Sequence, residues 1–160
     1  MNERQQRVGF IGLGSMGGPL AGHLLAKGFS VTVYARRPEA AAALVAAGAT
    51  AVATPREVGA RADVLCTMVT GTDDVDQVLF GPDGATEGLA PGSLVIDLST
   101  IDPEATRGFA AKLAARGVAM LDAPVSGGPE GARQGTLTIM AGGPAEALEQ
   151  ARPVLEAFSA

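Results

Sequence analysis

Residues 9–28 read GFIGLGSMGGPLAGHLLAKG, and the fold is decided by how this stretch changes character. Val8 to Ile11 is a short β-branched and aromatic run, the composition of a buried strand. Three glycines, Gly12, Gly14 and Gly17, then break it. From Met16 to Lys27 the residues Leu20, Leu24 and Leu25 fall near helical spacing, and Gly28 stands where a helix C-cap belongs. The stretch therefore predicts strand, glycine turn and helix. The glycines are spaced G-x-G-x-x-G. In that spacing the first permits a tight turn, the second lets a pyrophosphate approach the main chain, and the third lets helix and strand pack closely. Such a turn also occurs merely to pack two elements. Its setting argues for a dinucleotide: strand before, helix after, and a second strand, Val31 to Tyr34, at the right distance. The N–H groups of the turn and the positive end of the helix dipole then face the phosphates.

Outward from this corner, strand and helix keep alternating. Pro38 opens a helix that runs through the alanines to Ala47, and Ala51 to Ala53 is a small third strand. Thr54 and Glu57 have capping-box spacing with Pro55 at the first helical position. Asp63 to Val69 reads as a strand, Asp73 to Leu79 as a helix, and Gly81 to Gly92 as turns. Leu94 to Asp97 is a strand, and Asp102 caps a helix to Arg116 with Pro103 at its first position. Val118 to Ala123 and Thr136 to Ala141 read as two more strands, separated by the glycine-rich stretch Gly127 to Gly135. Pro144 to Phe158 is a final helix. The pattern predicts one α/β domain over residues 1–160, a Rossmann-like, doubly wound and mostly parallel sheet with helices on both faces. Ligands of such sheets bind beyond the carboxyl ends of the strands, where strand order reverses.

Composition narrows the function classes. Hydrophobic residues are 47% and charged residues 18%, which fits a globular core. The net charge of −5 has no basic patch behind it, so no nucleic-acid partner is expected. No apolar run approaches the ~20 residues of a membrane span, so no membrane is expected either. The polar stretch Met1 to Arg7 has no signal-peptide apolar region, and Cys66 is the single cysteine, so a cytoplasmic protein is expected. One histidine and one cysteine give no metal site. His23 reads as a helix-surface residue, and Met16, Met68, Met120 and Met140 as core and pocket packing. Asp97 and Asp122 end strands, but a paired-carboxylate mechanism is not expected from them.

The tip of the second strand bears on which dinucleotide fits. An NAD site usually carries an acid there for the ribose hydroxyls. This chain has Tyr34-Ala35-Arg36-Arg37 and no acid before Glu39. A guanidinium suits a 2′-phosphate, which an acid would repel, so NADP(H) is expected over NAD(H). The alternative is that both arginines merely solvate a loop.

Read with its flanks, GFIGLGSMGGPLAGHLLAKGFSVTVYARRPE resembles the β-hydroxyacid dehydrogenase family, which includes the hydroxyisobutyrate dehydrogenases and tartronate semialdehyde reductases. VIDLSTIDPEATRGFA resembles the family's segment at the nicotinamide end, and LDAPVSGGPEGARQGTLTIMAGG its substrate-binding segment. The resemblance implies that Gly12, Leu13, Gly14, Ser15, Met16 and Gly17 hold the pyrophosphate. It places Met68 and Val69 along the path from adenosine to nicotinamide and Thr100 near the nicotinamide. Asp74 lies where cofactor contacts continue but departs from the family in residue type, and is given little weight. Ser126, with the N–H groups of Gly127 and Gly128, would bind the carboxylate of a small substrate. A serine followed by two glycines supplies the convergent donors that a carboxylate needs, although the same residues could simply form a capped turn.

The family's proton donor is a lysine on a long helix beyond this region, followed by a helical domain. Lys27 and Lys112 are the only lysines here and neither matches that motif; both read as solvated helix positions. The resemblance therefore implies a truncated piece of a longer enzyme, with no catalytic residue of its own and little turnover alone. It implies a C-terminal helical domain as partner and a homo-oligomer at full length. Two alternatives stand beside this reading. One is an imine reductase-like NADPH domain, which Asp122 to Gly128 argues against. The other is a non-catalytic NADPH-binding module.

Overall fold

The computed structural model describes residues 6–160. The chain runs β1 (Arg7–Ile11), α1 (Gly17–Ala26), β2 (Ser30–Tyr34), α2 (Ala42–Ala46), β3 (Thr50–Ala51), α3 (Pro55–Ala60), β4 (Val64–Thr67) and α4 (Thr72–Phe80). It continues through β5 (Leu94–Asp97), α5 (Pro103–Ala114), β6 (Ala119–Asp122), β7 (Val125–Ser126), α6 (Gly128–Gln134), β8 (Thr138–Ile139) and α7 (Ala145–Glu156). The six strands β1 to β6 form one sheet in the order β3-β2-β1-β4-β5-β6, and every pairing in it is parallel. The chain winds outward from β1 to one side, returns, and winds out again from β4. Strand order therefore reverses between β1 and β4, and the Rossmann-like architecture is present.

Two apolar layers sandwich the sheet. Alternate residues of the strands, Val8 and Phe10, Val64 and Cys66, Leu94 and Ile96, face α1, α2 and α7. The intervening Ile11, Leu65 and Val95 face α3, α4 and α5. This two-sided burial is why the strands read as continuous apolar runs. Helix α1 buries Gly17, Leu20, Ala21 and Leu24, one stripe at i, i+3, i+4 and i+7. The expected caps are formed: the Thr54 hydroxyl accepts from Glu57 N at 3.2 Å and the Asp102 carboxylate from Ala105 N at 3.3 Å.

Three local expectations are corrected. Pro38 to Ala47 is not one helix but a 3₁₀ turn, Pro38–Ala41, leading into α2. The third strand is Thr50–Ala51, a two-residue strand ahead of Ala51 to Ala53. Thr136 to Ala141 does not extend the main sheet. Its centre, β8, pairs antiparallel with β7 in a separate two-stranded ladder, and the glycine-rich stretch between them is helix α6. Pro124 follows the end of β6 and turns the chain aside before that ladder begins; Gly127, Gly128 and Gly135 supply the positive φ values that start and stop α6. Periodicity over such short segments does not distinguish a second ladder from another strand of the first.

Candidate functional site

The corner at the carboxyl end of β1 is shaped almost entirely by main chain. Gly12 has φ +101°, and a Cβ there would lie 2.0 Å from the Met68 carbonyl oxygen at the end of β4. A Cβ on Gly17 would lie 1.7 Å from the Gly12 carbonyl oxygen. Both glycines are thus required by the fold itself, the first for its turn and for contact across the sheet, the other for seating α1. Gly14 is different. Its φ lies outside the left-handed region and a Cβ would meet nothing within 4 Å. The folded chain has no use for glycine there; what the position offers is open space beside bare main chain.

That space is a cleft of about 860 Å³ over the point where strand order reverses. Gly12, Leu13, Gly14, Ser15, Met16 and Gly17 form its floor, Arg36 and Arg37 one wall, and Met68 and Val69 another. The first turn of α1 has no acidic residue, and its N-cap, Met16, provides no side-chain cap. Within that turn Gly18 N already donates to Gly14 O and Pro19 has no N–H, so the donors left to an anion are those of the glycine turn leading into the helix, with the helix dipole favouring one. The floor and walls fit a dinucleotide: a glycine cradle for phosphate, guanidinium groups at one end, and apolar side chains along the length.

Not every residue expected at the site meets in this cleft. Thr100 is exposed on the loop after β5 and is not among the cleft's lining residues. Ser126, Gly127 and Gly128 are exposed on the β7–α6 corner, also outside it. Gly127 and Gly128 have φ of +136° and +62°, so that corner favours glycine for conformational reasons as well. Asp74, given little weight by sequence, does line the cleft, and its Oδ1 lies 3.6 Å from Arg36 Nη2. The signal was its place near the start of α4, one loop beyond β4.

Sequence reasoning set aside the buried polar group behind the site. Asp97, at the end of β5, is fully buried. Its Oδ1 accepts from Thr67 Oγ1 at 2.9 Å and from Ser99 N at 3.1 Å. Ser99 Oγ in turn accepts from Val69 N at 2.9 Å. The other oxygen, Oδ2, has no hydrogen-bond partner among the described residues. Burial raises the Asp97 carboxyl above the ordinary range, its hydrogen bonds to Ser99 and Thr67 oppose that, and the charge of Asp122 reinforces it. Burial also raises Asp122, the Cα partner of Asp97 in the β5–β6 register.

Other side chains are placed away from chemistry. His23 is not a plain surface residue: it is half-buried, its Nε2 is 2.8 Å from the Ala132 carbonyl, and its ring packs over Gly135, joining α1 to α6. Lys112 is not simply solvated either, since its Nζ sits 4.8 Å from the Phe80 ring centre. Cys66 is buried, and desolvation pushes its thiol up to about 12. Met140 is not core packing; it is 56% exposed after β8. Among the described residues no cluster of acids, histidine and cysteine could hold a metal, and no helix is long and apolar enough to cross a membrane.

Comparison with known proteins agrees with this geometry. Residues 7–160 match the family model described as the NAD binding domain of 6-phosphogluconate dehydrogenase. The NAD-dependent L-serine dehydrogenase of Pseudomonas aeruginosa is 47% identical over 153 residues, covering 96% of this chain and 51% of that protein. A solved structure of Mycobacterium tuberculosis 3-hydroxyisobutyrate dehydrogenase with L-serine superimposes with TM-score 0.91 at 36% identity, over 97% of this chain and 52% of that one. A solved complex with NADP+ and 2-OPP superimposes with TM-score 0.90 at 39% identity, over 95% of this chain and 54% of that one. The chain spans about half the length of the relatives it matches. With a match along nearly its whole length, this chain belongs to the family of NAD-binding domains described for 6-phosphogluconate dehydrogenase, with β-hydroxyacid dehydrogenases among its relatives.

Proposed function

We propose that residues 1–160 are the NADP(H)-binding domain of a β-hydroxyacid dehydrogenase that exchanges hydride between nicotinamide and a small hydroxy acid or its semialdehyde. The observation that carries this is Gly14: among the described residues nothing beyond its chain neighbours comes within 4 Å of its Cβ position, at the mouth of a turn whose other two glycines the fold demands. Space kept beside uncapped N–H groups is what a diphosphate needs. The nicotinamide, when bound, supplies the hydride chemistry. The chain's own groups bind and orient. The Gly12 to Gly17 amides hold the diphosphate, Arg36 and Arg37 meet the 2′-phosphate, and Met68 and Val69 keep water from the cofactor's length. Thr100 orients the nicotinamide end. Ser126 Oγ and the Gly127 and Gly128 N–H groups take the substrate carboxylate.

The family relation alone does not choose between cofactors, since the L-serine dehydrogenase relative is named as NAD-dependent. The preference for NADP(H) rests on two exposed guanidinium groups at the tip of β2. Reduction of an aldehyde also needs a proton at the developing alkoxide, and a positioned acid contributes ~10²- to 10⁴-fold. Lys27 is exposed just past the end of α1 and Lys112 is held over Phe80, both away from the cleft. The proton donor therefore comes from a helical domain outside this sequence, and the chain alone binds cofactor with little turnover. Exposed Met140 and the hollow lined by Leu137, Ile139, Leu148 and Leu155 give that domain an apolar face to meet. The full-length enzyme acts as a cytoplasmic homo-oligomer.

Titration of this chain with NADPH and NADH, followed by nicotinamide fluorescence, tests the reading. NADPH should bind more tightly, by about 10- to 100-fold for one charge-assisted bond to the 2′-phosphate. Arg36→Ala should narrow that gap. Equal affinities refute the NADP(H) preference, and binding of neither refutes the cofactor site.

A further inference from the structure

The loop after β4 lines the cleft through Met68 and Val69, and the loop after β5 runs beside it, joined to it at Val69 N and Ser99 Oγ. Beside the main-chain bonds of Met68 N to Ile11 O and Leu98 N to Thr67 O, one buried side chain links the two. Asp97 Oδ1 receives Thr67 Oγ1 at 2.9 Å and Ser99 N at 3.1 Å, and Ser99 Oγ receives Val69 N at 2.9 Å. The carbonyl of Asp97 also accepts from Ala123 N at 2.9 Å, at the point where β6 gives way to Pro124 and the Ser126 corner. Thr67, Asp97 and Asp122 stand in register across β4, β5 and β6, so their side chains lie on one face of the sheet's carboxyl edge. One residue thus joins the ends of three strands, and from each of those ends issues a segment proposed to touch cofactor or substrate.

From this junction we propose that Asp97 is a positioning residue: through Ser99 it fixes Val69 and Thr100 in one arrangement, so that the nicotinamide half of the dinucleotide meets a preformed surface. The inference rests on the cofactor reading of the cleft. Asp97 touches no ligand; it is fully buried and acts through the main chain of its neighbours. Among the described residues its second oxygen lacks a partner, and its register neighbour is another acid, both of which disfavour the charged form. What the loops require is the Oδ1 acceptor, not the charge. The arrangement also separates the two halves of the site. The glycine floor and Arg36 hold the phosphate and adenosine end without help from Asp97.

Two ligands separate a positioning role from a general loss of structure: NADPH, and 2′-phospho-ADP-ribose, which lacks the nicotinamide ring. Asp97→Ala should weaken NADPH by about 10-fold or more while changing 2′-phospho-ADP-ribose by no more than about twofold. Asp97→Asn keeps an oxygen acceptor and should bind NADPH within about twofold of the wild-type chain. Should Asp97→Ala fail to fold, Ser99→Ala removes the single bond to Val69 N and should weaken NADPH about 3- to 10-fold with the same selectivity. Equal losses for both ligands, no loss in either alanine variant, or an asparagine variant as weak as alanine would overturn the positioning role. A wild-type chain that binds neither ligand would instead refute the cofactor reading on which it rests.

Discussion

Gly14 and Gly17 lie three residues apart in the same turn, and the structure assigns them opposite consequences on substitution. At Gly14 an added methyl meets no protein atom within 4 Å, and the backbone is outside the left-handed region. Gly14→Ala should therefore leave the melting temperature unchanged or slightly raised, since alanine reduces unfolded-state entropy by about 0.4–1 kcal/mol. The same methyl stands in the space through which a diphosphate reaches the main chain. Loss of one charge-assisted bond there amounts to about 2–3 kcal/mol, so NADPH affinity should fall about 30- to 150-fold. At Gly17 the methyl would lie 1.7 Å from the Gly12 carbonyl oxygen, a main-chain atom that a rotamer change cannot move. Gly17→Ala should then destabilise the fold by several kcal/mol or prevent folding, as overpacking of a close approach does. Thermal melts of both variants, with fluorescence titration of NADPH into Gly14→Ala, read the two effects separately. A Gly14→Ala protein that binds NADPH as wild type does would refute the argument that this open space is a phosphate cradle.

Further expectations concern the rim, the substrate corner and pH. Asp74→Asn removes the acid facing Arg36 at 3.6 Å, and since exposed pairs are worth about 0–1 kcal/mol it should raise NADPH affinity about two- to fivefold in titrations, with less change for NADH; an unchanged ratio would discount Asp74. In the longer enzyme, Ser126→Ala should raise KM for the acid substrate while leaving cofactor affinity intact, and steady-state kinetics with an unaltered KM would remove Ser126 from the carboxylate site. Asp97 is raised above the ordinary 3.8, so its contribution to stability is fullest below that pH and declines as pH rises toward its folded value. Asp122 reinforces the sign. Melts of Asp97→Asn and wild type from about pH 4 to pH 7 should diverge with rising pH, in favour of asparagine; a gap that narrows would reverse the sign argued here.

The main sheet was legible because its strands are buried on both faces and its helices carry strong punctuation. Val8 to Ile11, Leu94 to Asp97 and the caps at Thr54 and Asp102 stand close to where periodicity and turn chemistry put them. The β7–α6–β8 segment was not, because glycines at 127, 128 and 135 look alike whether they make a loop or bracket a short helix. The cleft's floor could be read from glycine spacing, since Gly12 and Gly17 answer local steric demands and Gly14 stands at a fixed interval between them. Asp97 could not be read this way. Its importance comes from Ser99, two residues on, together with Thr67 and Ala123, 30 and 26 positions away by number, which only the parallel register brings to it. Nor could sequence foresee that His23 would be half-buried, because its partner carbonyl is on Ala132, in a helix 109 residues on.

The contact between the Gly12 corner and the Met68 carbonyl has a bearing on how such a site could be altered. Because backbone meets backbone there, a side chain added at Gly12 or Gly17 also threatens folding. Arg36, Arg37 and Asp74 project from the margins and carry no comparable structural duty. Redesign of this chain toward another dinucleotide therefore has its freedom at the lip, over a frame of Gly12 and Gly17 that must stay as it is.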